Sequence, residues 1–285
     1  MKKWRLLSLA TTFYFLVGTI HLYQPLNLDR ELTKQLEKVG GKNQFLLPDS
    51  DNLDLIPQDP FNPLTKDKVT LGKLLFHETA LGTKPLIENG PLHKTYGCVS
   101  CHTVGAGFQV GKRQSIGDGG AGFGKKGEGR EKHPGYRVRE LDVQVRKTPS
   151  VLNSAFQKTM FWDGQFGATA ANQGTETEWK EGTPTAVNRL GFEGLESQAI
   201  AGFEVHRMGL GSLIEDYPEY KVLFDQAFPQ MKEERYTDQT AALAIAAYER
   251  TLLTDQAPFQ KWLKGDNQAM NRREKKGALL FFGKA

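Results

Sequence analysis

Cys98-Val99-Ser100-Cys101-His102 is the stretch on which the reading of this chain turns. Two cysteines separated by two residues, with a histidine directly after the second, form the c-type haem attachment pattern. Each thiol can form a thioether to one porphyrin vinyl, and the histidine then reaches the iron as proximal ligand. These are the only two cysteines in the chain, which excludes a disulfide-rich scaffold and a four-cysteine zinc or iron–sulfur site. A thioredoxin-like C-x-x-C calls for a βαβ setting that the flanking sequence lacks. A zinc site calls for a fourth ligand, and none stands near Cys98, Cys101 and His102 in sequence.

On either side of this stretch the pattern is helical with long irregular connections. Thr65 is placed to cap a helix whose Val69, Leu71, Leu74 and Leu75 form one face up to about Glu78. Thr237 or Asp238 caps another, running through Ala241, Leu243, Ala246, Ala247 and Tyr248 to Leu252. A short amphipathic helix fits Asp29 to Lys42, with Leu32, Leu36 and Val39 on one face, and a last helix fits Asn271 to Phe282. Gly111 to Gly135 holds nine glycines without periodicity and reads as loop. Within it, Gly122-Phe123-Gly124-Lys125-Lys126-Gly127 matches G-x-G-x-x-G, but no strand precedes it and no helix can follow, so it is a decoy for dinucleotide binding. The fold class expected is mainly α: a cytochrome-c-like haem domain with long irregular loops.

Composition agrees with a globular chain. Across 285 residues, 25% are charged and 39% hydrophobic, with a net charge of +4, which fits neither disorder nor a polycationic nucleic-acid binder. Lys2, Lys3 and Arg5 precede an apolar run from Leu6 to Tyr23, the pattern of an export signal. No A-x-A-like site closes it, so residues 6–23 read as an uncleaved inner-membrane anchor ahead of a cleaved signal peptide, with the rest of the chain periplasmic.

The iron's other face has several candidates. His21, His77, His93, His133 and His206 remain, with Met160 and Met208 as alternative ligands. His206 is preferred, because Glu204, Arg207 and Met208 surround it and offer a carboxylate, a guanidinium and a thioether for acid–base work.

Further motifs occur in a fixed order: Leu71-Gly72-Lys73-Leu74-Leu75-Phe76 ahead of the cysteines, then Arg146-Lys147-Thr148-Pro149-Ser150-Val151-Leu152-Asn153 and Phe161-Trp162-Asp163-Gly164. Leu195-Glu196-Ser197-Gln198-Ala199 and Phe259-Gln260-Lys261-Trp262-Leu263-Lys264-Gly265-Asp266 follow. From about Pro57 to its end the chain resembles the bacterial di-haem cytochrome c peroxidases and their relatives of the MauG type. The resemblance implies two domains of cytochrome c type, an N-terminal haem that reduces hydrogen peroxide, and a second haem that receives electrons from a small cytochrome or copper protein. It implies that Cys98 and Cys101 bind haem c, that His102 ligates its iron, that Trp162 lies between the haems with Phe161 beside it, and that Gln198 is an active-site residue.

The sequence departs from that pattern in places. Asp118 stands where the family has a distal histidine, so an open or differently ligated iron is expected. Arg207 stands about where the catalytic glutamate would be, which passes the acid–base role to Glu204 or His206. Lys147 replaces an asparagine that contributes to an inter-domain calcium, leaving calcium in doubt. Gly277 to Ala285 is what precedes the second C-x-x-C-H in the family, so a second domain reads as cut off. The expected organisation is residues 1–24 signal or anchor, 25–56 linker or stalk, 57–270 peroxidase-type haem domain, and 271–285 the start of a truncated second domain. The expected function is a periplasmic peroxidase taking electrons from a small redox protein. The alternatives are a mono-haem electron carrier and a MauG-like oxidase of a protein partner. No nucleic acid is expected, and a homodimer is compatible with the sequence.

Overall fold

The computed structural model describes residues 27–88 and 90–284. The export run Leu6 to Tyr23 therefore lies outside the described residues. In chain order the helices are α1 (Leu28–Glu37), α2 (Lys66–His77), α3 (Gly194–Val205), α4 (Leu213–Asp216), α5 (Glu219–Ala227), α6 (Asp238–Arg250), α7 (Pro258–Leu263) and α8 (Arg272–Lys284). Among the described residues no helix is long and apolar enough to cross a membrane. The chain divides into two units, one of residues 48–254 and one that joins residues up to 47 with those from 255.

The larger unit is organised by α2, α3, α5 and α6. Thr65 caps α2 by accepting from the Lys68 amide at 3.2 Å, and Thr237 caps α6 by accepting from the Thr240 amide at 3.2 Å, which satisfies donors that a helix start leaves open. The alanine run of α6 is buried throughout, and α2 approaches it so closely that a Cβ on Gly72 would lie 1.8 Å from the Ala244 carbonyl oxygen. Glycine is what permits that crossing. Leu71, Leu75 and Phe76 fill the core beside it, whereas Leu74 is exposed.

Arg250, at the end of α6, is fully buried. Its Nε and Nη2 grip the Glu196 carboxylate of α3 at 2.8 and 2.6 Å, and Nη2 also reaches Glu193 at 3.3 Å. This bidentate pair sets the start of α3, the helix that carries Gln198 and leads into His206.

Between α2 and α3 the chain runs mostly through short 3-10 turns. The glycine-rich segment, expected to be loop, contains a two-stranded ribbon of β1 (Gly120–Ala121) and β2 (Glu131–Lys132), with Gly120 opposite Lys132. Buried Arg130 holds it from inside, donating to the carbonyls of Ile116, Gly117 and Gly122. Contrary to expectation a short strand, β1, does precede Gly122, but Gly122, Gly124 and Gly127 all have positive φ and open no helix.

In the other unit, Leu32 and Leu36 of α1 are buried with Trp262, Leu263 and Met270, while Val39 is exposed. Phe282 of α8 meets Phe45 and Phe259 at ring distances of 5.0 and 5.7 Å. Within residues 25–56, expected as a linker or stalk, α1 places Leu32 and Leu36 in this core, and within 271–285, expected to start a second domain, α8 contributes Ala278, Leu279 and Phe282 to it. Leu280 and Phe281 remain exposed.

Candidate haem site

The attachment motif sits on a 3-10 turn over Cys98–Ser100. Gly97 precedes it because a Cβ there would lie 2.3 Å from the Glu78 carbonyl oxygen, and Ser100 closes the turn by accepting from the Gly97 amide at 3.2 Å. The His102 amide donates to the Cys98 carbonyl at 2.9 Å, so both cysteines and the histidine lie within a single turn.

His102 Nδ1 lies 3.1 Å from the Phe108 carbonyl oxygen. A carbonyl only accepts, so Nδ1 carries the proton and Nε2 keeps its lone pair for a metal. Burial pushes the imidazole down to about 4, so it is neutral at pH 7 and competent to ligate. Burial pushes both the Cys98 and Cys101 thiols up. Reactive and zinc-bound cysteines need the opposite shift. The donor set fits a thioether-bound haem c: two free thiols, one oriented neutral imidazole, and an aromatic wall in which Phe76 lies 6.3 Å from His102 and 5.9 Å from Phe108.

α3 contributes a second group of polar side chains. Gln198, Gly202 and His206 follow at four-residue spacing and share one face; a Cβ on Gly202 would lie 3.8 Å from Gln198 Nε2 and 3.9 Å from His206 Cδ2. A positive charge on His206 would be felt at His102. Its Nδ1 lies 2.9 Å from Asp142 Oδ2, a buried carboxylate 64 residues earlier in the chain. Glu204, expected as a rival acid–base group, is exposed and faces away from this row.

Arg207 ends α3 with φ of +55°, a left-handed conformation usually given to glycine. Its carbonyl is held by the Lys84 amide at 3.1 Å and by the Tyr96 hydroxyl at 2.8 Å. Its guanidinium is held by Asp118 Oδ2 at 2.6 Å and the Glu140 carbonyl at 2.8 Å. Asp118, expected at the position of a distal ligand, is fully buried and accepts from Leu86 N at 2.7 Å, Tyr136 Oη at 3.0 Å and Arg207 Nη1. With three donors on it, Asp118 organises the loop instead of offering a free oxygen to a metal.

Other candidates fall elsewhere. Met160 and Met208 are core residues, His93 and His77 are exposed, and His133 accepts from the Gly135 amide at 3.1 Å within the glycine-rich loop. Phe161 is half-buried against the core with its ring 5.4 Å from Phe166. Trp162, expected to be enclosed between haems, is 99% exposed in this chain. Among the described residues no cluster of three or more acidic, histidine or cysteine side chains is arranged for a metal ion. Sequence reasoning missed Asp142 and Arg130, because a lone acid and a lone base in an irregular loop carry no periodic signal.

The sequence profile of the family described as "Di-haem cytochrome c peroxidase" matches residues 66–268, from the start of α2 past the end of α7. The chain belongs to the di-haem cytochrome c peroxidase family. It is similar to cytochrome c peroxidase Ccp of Escherichia coli (31% identity, 77% of this chain and 36% of the relative). It is also similar to MauG of Methylophilus methylotrophus (27%, 84% and 54%) and to cytochrome c551 peroxidase of Pseudomonas aeruginosa (29%, 77% and 49%). The chain thus spans about a third to about half the length of these di-haem relatives. A solved MauG-like protein associated with microbial copper homeostasis shares the fold, with a TM-score of 0.50 at 23% identity over 83% of this chain and 54% of that one.

Proposed function

We propose that this chain is the N-terminal haem domain of an exported peroxidase, reducing hydrogen peroxide with electrons from a small redox protein. The observation that carries the reading is His206, held by Asp142 at 2.9 Å and close enough to His102 for a charge on one to be felt at the other. Haem c on Cys98, Cys101 and His102 would supply the iron that binds peroxide and passes electrons. The chain's own residues would do the rest. Because Asp142 accepts from Nδ1–H, His206 Nε2 is free to take a proton from the inner peroxide oxygen and return it to the outer one. Gln198, on the same helix face, offers an amide to orient the peroxide. Arg207, neutralised by Asp118, fixes the loop that bears Asp142 through the Asp142 amide's bond to the Asp118 carbonyl at 2.9 Å.

Burial of Met160 and Met208 in the core speaks against the thioether-closed iron of a pure electron carrier. A second reading is oxidation of a protein partner in the manner of MauG, to which the chain is similar at 27% identity.

The test is His206→Ala in the haem-loaded protein. Peroxide turnover should fall roughly 100-fold or more while covalent haem is retained. Unchanged turnover with an unchanged iron spectrum would remove His206 from the site.

A further inference from the structure

Glu249 has no part in the reading above. It lies one residue before the end of α6, is 4% exposed, and its Oε2 has no hydrogen-bond partner among the described residues. No ion pair reaches it among those residues. A buried carboxylate without a cation or a full set of donors is costly, so its ionisation is opposed, and burial pushes the group up to about 8.

Its surroundings tie it to the haem attachment. A negative charge on Glu249 is felt at the Cys98 sulfur, where it raises the thiol. The preceding residue, Tyr248, packs its ring 5.5 Å from Phe76, whose other edge meets His102 at 6.3 Å. The end of α6 therefore forms part of the wall behind the attachment turn. Of the other titratable groups on α6 and the elements packed against it, Lys66, Asp67, Lys73 and His77 of α2 and Glu204 of α3 are exposed, and the buried ones are already engaged. From α3, Glu196 is gripped by Arg250. From α2, Lys68 donates to Asn62 and to the Pro63 carbonyl, both at 3.0 Å, and His77 lies against Tyr248 at 6.2 Å. The turn Ser154–Phe156 contributes the Ser154 hydroxyl, which is neutral. On α6 itself, the Arg250 guanidinium is committed to Glu196 and Glu193.

We propose that Glu249 is the redox-linked proton site of this domain: where it is ionised in the oxidised protein, its carboxylate gains a proton when the haem joined at Cys98 gains an electron, and releases it when the electron leaves. One electron from the donor redox protein and one proton from solvent enter together, so the net charge buried at the site does not change. The physical reason is that an added electron at the macrocycle repels a buried carboxylate through a medium of low dielectric. The inference rests on the covalent haem of the proposed function.

The experiment is spectroelectrochemical titration of the haem-loaded protein between about pH 6 and 9, a window centred near the buried carboxyl. The reduction equilibrium of the unsubstituted protein should be flat near pH 6, where the carboxyl is protonated in both states, and move up to tenfold per pH unit above about pH 8, about 59 mV for one electron. Glu249→Gln should flatten most of that dependence, and Glu249→Asp should keep it. An undiminished slope in Glu249→Gln overturns the proposal while leaving the haem reading intact. A protein without covalently bound haem overturns the haem reading first. Should Glu249→Gln fail to fold, redox-difference infrared of the unsubstituted protein decides: a buried carboxylic acid band gained on reduction supports the proposal, and its absence overturns it.

Discussion

His206 and Asp142 meet at 2.9 Å although 64 residues separate them, and that contact decides which ring nitrogen carries the proton. Replacing the carboxylate by an amide lets the imidazole adopt either tautomer. Asp142→Asn should therefore lower peroxide turnover about 10- to 100-fold with haem content unchanged, read from steady-state rates beside the haem absorbance.

The two cysteines should be separable by mass. Cys101→Ala keeps Cys98 as a single thioether, so intact mass should still show one attached haem. The double substitution Cys98→Ala with Cys101→Ala should show the bare chain. Covalent haem in the double variant would refute the attachment site.

The α2–α6 crossing depends on a missing methyl group. Gly72→Ala would drive a Cβ to 1.8 Å from a backbone oxygen of Ala244, and backbone cannot step aside as a flexible side chain can. A loss on the order of 3 kcal/mol is expected in denaturant unfolding. Gly277→Ala, with nothing within 4 Å of its added Cβ, is the control and should be near neutral.

Arg250 and Glu196 are both fully buried. Arg250→Met leaves Glu196 and Glu193 without their shared cation, and should cost about 3–5 kcal/mol. Pairing it with Glu196→Gln should recover part of that loss, which a double-mutant cycle would measure.

Glu249 makes stability depend on pH. Its folded-state carboxyl is pushed up to about 8 from 4.5 in the open chain, so the folded protein holds more protons between those values. Stability is then full below about pH 4.5 and falls as pH rises toward about 8. Glu249→Gln should remove this decline, being more stable than the parent by on the order of 1 to 3 kcal/mol at pH 8.5 and by progressively less toward pH 5. Parallel unfolding curves for the two proteins across that range would rule it out.

What could be read without coordinates is what is local. Cys98, Cys101 and His102 carry their chemistry in five consecutive residues, since a single turn is enough to bring them together. Thr65 and Thr237 announce their helices because an N-cap acts within three residues, and Leu32, Leu36, Leu71 and Leu75 follow from helical period alone. Family membership followed from motif order. Leu74 and Val39 show the limit of periodicity: they continue an apolar stripe, yet both are exposed, because the width of a buried stripe is set by the neighbour that covers it.

Tertiary structure alone decided the rest. Glu204, Asp118 and His206 are equivalent as sequence, each a polar residue near a motif. Helix rotation turns Glu204 to solvent, three donors saturate Asp118, and a carboxylate from a distant loop orients His206. The lack of a partner likewise distinguishes Glu249 from the other buried glutamates, since Glu193 and Glu196 share Arg250 while the packing of α6 leaves Glu249 Oε2 unbonded among the described residues. Sequence determines which groups exist and which short-range turns they form; their protonation, orientation and partners depend on desolvation and on contacts between residues far apart in the chain, and those exist only once it has folded.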